Sequence, residues 1–96
     1  MWILKTDEGA DPSLTFRIRP GSIKTVGRAA RADFVVDATL VSRVHCRLAA
    51  GAEQLEVVDL DSTNGTFVNG QRVKRATLND GDKLGVGHVE LTVRRR

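Results

Sequence analysis

Three segments of this 96-residue chain carry side chains that could do chemistry. Arg28 follows Gly27, Ser42 and Arg43 precede His45, and Asp59-Leu60-Asp61-Ser62-Thr63-Asn64-Gly65-Thr66 runs on to Val68-Asn69-Gly70. Nucleophilic catalysis is the first chemistry to weigh, because a serine and a histidine stand close. Ser42 and His45 are a poor nucleophile–base pair at the entry to a strand, and no third residue is evidently placed to orient the imidazole. There is no glycine-rich loop ending in Lys-Ser/Thr and no Gly-x-Ser-x-Gly elbow. Asp59 and Asp61 are two carboxylates without further ligands, too few to argue for a cation. Cys46 is the single cysteine and no Cys/His pair stands at zinc spacing, so neither a disulfide nor a zinc site is expected. The chain therefore reads as a non-enzyme, with no catalytic residue, no metal and no cofactor. What remains is binding by polar residues on loops, which a rigid scaffold commonly presents.

The elements that must position these loops are strands. Leu14, Phe16 and Ile18 alternate with Thr15, Arg17 and Arg19, so three apolar side chains share one face. Val44, Cys46 and Leu48 alternate around His45 and Arg47, Leu55 and Val57 around Glu56, and Val89, Leu91 and Val93 with Glu90, Thr92 and Arg94. A further strand is expected around Ile23 to Val26. No window of a dozen residues carries a helical stripe. Turn signals separate the runs at Glu8-Gly9, Asp11-Pro12, Pro20-Gly21, Ala50-Gly51, Asn64-Gly65, Asn69-Gly70 and Asp80-Gly81. Val68-Asn69-Gly70-Gln71 is the clearest hairpin, because Asn-Gly suits the primed turns that match strand twist. Short strands at this spacing point to an all-β sandwich of two packed sheets. One domain over 1–96 is expected, since no linker divides the chain.

Charge and hydropathy exclude several partners. Fifteen Lys or Arg against twelve Asp or Glu give a formal charge of +3, and the excess lies wholly in Arg94, Arg95 and Arg96. A distributed basic face is not implied, and aromatic residues are few, so nucleic-acid binding is not expected beyond a weak contact through those arginines. No apolar run nears the roughly 18 residues of a membrane span, and the start is too short and too soon interrupted for a signal peptide. An intracellular, cytoplasmic setting is expected, or a nuclear one if the source is eukaryotic.

In order and spacing, Gly27-Arg28, Ser42-x-x-His45 and Ser62-Thr63-Asn64-Gly65-Thr66 leading to Val68-Asn69-Gly70 resemble the forkhead-associated (FHA) domain, over about residues 22–93. The resemblance implies a twisted β-sandwich of about eleven short strands, FHA/SMAD-like. Its end loops would bind a phosphothreonine-containing protein or peptide, namely an upstream Ser/Thr kinase or its substrates. The residue chemistry agrees. A phosphothreonine carries about −1.5 to −2 charge and three acceptor oxygens, and so needs a fixed cation and directed donors. Arg28 would supply a guanidinium that pairs with phosphate at two points. Ser42 would donate its hydroxyl and its backbone N–H, and Arg43 would reach the phosphate or the ligand's main chain. By the resemblance, Thr63 flanks the phosphate and Asn64 holds the peptide backbone, a task suited to an amide that both donates and accepts. His45 would brace the loops from beneath, and Gly27, Gly65, Asn69 and Gly70 would shape them. The methyl group that separates threonine from serine would fill a small slot. Leu40, two residues before Ser42, would read an apolar third residue after the phosphothreonine, and the loop Gly85-Val86-Gly87-His88 would add to that pocket through Val86 and His88.

Read singly, these residues have plainer explanations. Arg28 alone is a solvated surface arginine, Ser42 a strand-entry turn residue and Asn64-Gly65 a turn. The joint pattern reverses those readings for Arg28, Ser42 and Asn64. His45 stays a satisfied core histidine under either reading, and Cys46 a small core residue. A phosphate-independent interaction surface on the same fold is the alternative.

Overall fold

A computed structural model describes all 96 residues and contains strands and loops only. The strands are β1 (Trp2–Thr6), β2 (Thr15–Ile18), β3 (Ile23–Gly27), β4 (Phe34–Val35), β5 (Cys46–Ala50), β6 (Leu55–Asp59), β7 (Thr66–Val68), β8 (Gln71–Val73), β9 (Arg75–Leu78), β10 (Lys83–Val86) and β11 (Val89–Arg95). One sheet has the order β2-β1-β11-β10-β7-β8 and the other β4-β3-β5-β6-β9. The two pack face to face over a core that includes Trp2, Leu4, Ile18, Leu48, Leu55, Leu78, Leu84 and Leu91, each almost fully buried. Burying one such side chain is worth about 1.5–3 kcal/mol, which is why the strands turn most of their apolar side chains to one side, although Ile23 and Val35 stay exposed.

Register follows from the alternation. Val26, Cys46 and Asp59 are neighbours across β3, β5 and β6, and Lys24, Leu48, Val57 and Ala76 form the next inward row through β9. β5 starts at Cys46 rather than Val44, because Ser42 to His45 belong to a loop with its own hydrogen bonds. Cys46 is fully buried, and burial pushes its thiol up to about 12, so it is core and not a reactive group. The Asn69-Gly70 hairpin forms with φ of 50° and 83°, the positive values that Asn and Gly tolerate. Asn69 also accepts from the Lys83 N–H (3.0 Å) and donates to Asp82 (3.1 Å). This turn sits at the opposite end of β7 from Gly65, so Asn69 and Gly70 shape the far end of the sandwich.

The C-terminal arginines continue β11. Arg94 pairs with Asp80 (3.9 Å) and Arg95 with Glu53 (3.4 Å), both in exposed positions. Such pairs are worth little, but they occupy two of the three charges that carry the net excess.

Candidate functional site: loops at one end of the sandwich

β3, β5 and β6 present Gly27, Cys46 and Asp59 at the same end of their sheet. The loops 28–33, 36–45 and 60–65 therefore meet there, beside the β10–β11 turn at Gly87-His88. What brings the first two together is a glycine. A Cβ on Gly27 would overlap the Arg43 carbonyl oxygen. The absent side chain lets the Arg28 N–H donate to the Ser42 carbonyl (2.9 Å) and the Ala29 N–H to the Arg43 carbonyl (3.1 Å). Gly27 serves close approach here, not a left-handed turn. Arg28 and Arg43 consequently line one concavity of about 240 Å³ with Ala29. Both are exposed, and neither takes part in any of the ion pairs. Behind them the Asp33 carboxylate accepts from the Thr25 N–H (2.8 Å) and the Thr25 hydroxyl (3.1 Å). These two donors hold the Asp33 carboxyl below the usual carboxylate range and fix the 28–33 loop to β3.

His45 is fully buried beneath the other two loops. Its Nδ1 lies 3.0 Å from the Ser42 N–H and its Nε2 lies 2.8 Å from the Gly65 carbonyl. A donor on one side and an acceptor on the other assign the proton to Nε2, so Nδ1 accepts and Nε2 donates. The imidazole thus ties the 36–45 loop to the 60–65 loop. The Ser42 hydroxyl repeats the tie on the outside by accepting from the Thr63 N–H (3.1 Å), which leaves its own proton free to donate. Thr63 and Asn64 are exposed, and the Asn64 amide donates to the Leu40 carbonyl (3.1 Å). That bond uses one of two amide protons and leaves the Asn64 oxygen open.

The 60–65 loop is buckled by Asp59. Its carboxylate accepts from the Ser62 hydroxyl (2.5 Å), the Ser62 N–H (3.2 Å) and the Thr66 hydroxyl (2.7 Å). Ser62 in turn accepts from the Gly65 N–H (3.1 Å), and Asp61 and Gly65 take the φ of 55° and 96° that the tight turn needs. Asp59 is therefore a structural acceptor, and no group of three or more metal-binding side chains gathers anywhere in the fold. Partial burial pushes the Asp59 carboxyl up, but the Ser62 and Thr66 donors outweigh it and hold the group below the usual carboxylate range. The sign for stability follows. A folded value below the unfolded one makes the ionised carboxylate stabilising above about pH 4, and that contribution is lost as pH falls through the folded value. Asp59→Asn is expected to lower stability at pH 7 by about 1–3 kcal/mol. The gap from the unmodified protein should narrow as pH falls below about 4, as read from urea melts. A gap that stays constant over that range would exclude this role.

Three expectations from the sequence need correction. Val86 is fully buried and belongs to the core, because β10 turns it inward opposite Thr66, so it cannot line a specificity pocket. His88 is exposed but opens onto surface depressions beside Asp11, Pro12 and Glu90, and beside Phe67 and Gly85, neither of which includes Leu40. The Ser42 N–H is spent on His45 and is not free for a ligand. Besides Asn64, the residue that meets Leu40 is Gly87. Its φ is +60°, and a Cβ there would stand 2.7 Å from the Leu40 carbonyl oxygen. The 85–88 loop is the one expected at this pocket, but Gly87, and not Val86 or His88, makes the contact.

The site end thus gathers Arg28, Arg43, Ser42, Thr63 and Asn64 around an open surface, with Leu40 exposed at its edge. Two free guanidinium groups, two hydroxyls and an amide make a receptor for an oxyanion attached to an extended chain.

Comparison with known proteins gives a consistent picture. A family model for the FHA domain matches residues 24–87. The chain is 42% identical over 78 residues to the ABC transporter ATP-binding/permease protein Rv1747 of Mycobacterium tuberculosis, covering 81% of this chain and 9% of that protein. It is 38% identical over 91 residues to the FHA domain-containing protein FhaA of the same organism, covering 95% of this chain and 17% of that protein. The chain therefore spans only a small part of these curated relatives. A solved chain from a structural and functional study of phosphothreonine-dependent FHA domain interactions superposes with a TM-score of 0.88 at 36% identity, covering 99% of this chain and 96% of that one. No helix is long and apolar enough to cross a membrane.

Proposed function

The chain belongs to the FHA domain family, and from that premise we propose that its loop end is a non-catalytic reader of phosphothreonine in proteins of Ser/Thr kinase signalling inside the cell. The observation that carries this reading is the double tie from Ser42 and His45 to Thr63 and Gly65. It fixes the backbones that carry Arg28 and Arg43 relative to the Thr63–Asn64 loop before any ligand arrives, so the ordering cost left for binding falls mainly on side chains. Arg28 pairs with two phosphate oxygens, Ser42 donates its free hydroxyl proton, and Arg43 and Thr63 close the remaining sides. Asn64 meets the peptide main chain with its open oxygen and its second amide proton.

Threonine is preferred over serine in this reading. One buried methyl is worth roughly 0.8 kcal/mol, and pockets that sense one carbon discriminate by about 1–3 kcal/mol. Leu40, 44% exposed and gripped at its carbonyl by Asn64, faces the ligand with an apolar side chain. An oriented phosphothreonine-peptide library tests the reading and its register together. Aliphatic residues should be enriched at the third position after the phosphothreonine. Enrichment of acidic residues there would remove Leu40 from the site, and no enrichment of phosphorylated over unphosphorylated pools would refute the function.

A further inference from the structure

Resting on the phosphothreonine reading, we propose that the cleft behind the 60–65 loop is a second anion subsite, which takes an acidic or phosphorylated side chain of the same ligand. The cleft has a volume of about 430 Å³ and is lined by Asp59, Asp61, Ser62, Arg72, Val73 and Lys74. Two of its five polar side chains are already engaged. Asp59 is bound by Ser62 and Thr66, and the Ser62 hydroxyl is used by Asp59 and Gly65. Asp61 and two cations are left over. Neither Arg72 nor Lys74 joins any of the ion pairs, and both are exposed.

Their positions are set by backbone. Arg72 stands opposite Phe67 in the β7–β8 pairing, and the Lys74 carbonyl accepts from the Asp59 N–H (2.8 Å). Arg72 reaches toward the loop, for a Cβ on Gly65 would lie 2.8 Å from its Nε. Gly65 is the residue after Asn64, and successive Cα atoms are only about 3.8 Å apart. Arg72 is therefore packed against the residue next to Asn64, on the same loop that the peptide is proposed to meet. Asp61, on the same cleft, opposes an anion, so its neutralisation should strengthen the subsite.

The test uses one phosphothreonine peptide with neutral flanks, the same peptide with Glu scanned over the flanking positions other than the third after the phosphothreonine, and the same series with phosphoserine. The protein is compared with Arg72→Gln/Lys74→Gln and with Asp61→Asn. Glu at one position is expected to tighten binding by about fivefold, the scale of a partly exposed ion pair, and phosphoserine by more. The double variant should bind the neutral peptide as the unmodified protein does and lose the gain from both anions, and Asp61→Asn should enlarge it. The gain should also fade in 0.5 M salt. Absence of any gain in the unmodified protein, or a gain that survives in the double variant, overturns the subsite. Failure of the neutral phosphopeptide to bind at all would instead refute the phosphothreonine reading. A gain from phosphoserine without one from Glu would assign the cleft to a second phosphate alone.

Discussion

Arg28→Ala is expected to weaken phosphothreonine-peptide binding by about 10- to 150-fold, with little change in melting temperature. The size follows from hydrogen bonds to a charged group, which contribute about 1.5–3 kcal/mol net; each 1.4 kcal/mol is tenfold in affinity. Stability should hold because the Arg28 side chain is exposed and unpaired, while the contact that fixes the loop comes from its backbone N–H to the Ser42 carbonyl. Alanine keeps that N–H. Arg28→Lys should recover only part of the affinity, since an ammonium offers a point charge where the guanidinium offers a planar fork. Isothermal titration of the three proteins with one peptide reads both effects. Equal affinity for Arg28→Ala and the unmodified protein would place the phosphate elsewhere.

The opposite profile is expected for His45→Ala. This change removes a fully buried ring and strands the Ser42 N–H and the Gly65 carbonyl, each 3.0 Å or less from an imidazole nitrogen. Leaving a buried polar group without its partner costs about 1–3 kcal/mol, and the cavity adds to that. A total of about 3–5 kcal/mol is expected, which for a domain of this size lowers the melting temperature by roughly 12–30 °C. Binding should weaken as well, but through loss of the tie between the Ser42 and Thr63 loops. His45→Gln separates the two causes, because an amide can both donate and accept and so should recover more stability than alanine does. A His45→Ala protein that melts with the unmodified one would show that the ring does not hold the loops.

Much of the fold was legible because β-strands write their exposure into alternate residues. The inward sets of β2, β5, β6 and β11 stand in plain sequence, and Asn69-Gly70 announces its own turn. β1 was harder to see, since Ile3 beside Leu4 blurs the alternation and the third inward residue is Thr6, whose hydroxyl is satisfied by Leu14. β4 has two residues and β9 reads as Arg-Ala-Thr-Leu, too short and too polar to announce themselves. The site divides in the same way. Arg28, Ser42, Asn64 and His45 are recognisable by type and order, because a motif records which groups are needed. A motif does not record which of their atoms are already occupied. The Ser42 N–H and the Asp59 carboxylate are taken up chiefly by His45 and Ser62, each only three residues on, through loop geometry that residue order does not record, and the inward turn of Val86 is set by its pairing with β7. Gly87 against Leu40 and the Arg72 side chain against Gly65 are likewise contacts that arise only in the folded chain.

The central claim is that one phosphate on threonine, held by Arg28, Arg43, Ser42 and Thr63, is what this surface reads. Calorimetric titration with the threonine, phosphothreonine and phosphoserine forms of a single peptide tests it most directly. The account predicts tight binding of the phosphothreonine form, binding weaker by about fourfold or more for phosphoserine, and no measurable binding of the unphosphorylated form. Equal affinity for phosphorylated and unphosphorylated peptides would contradict it.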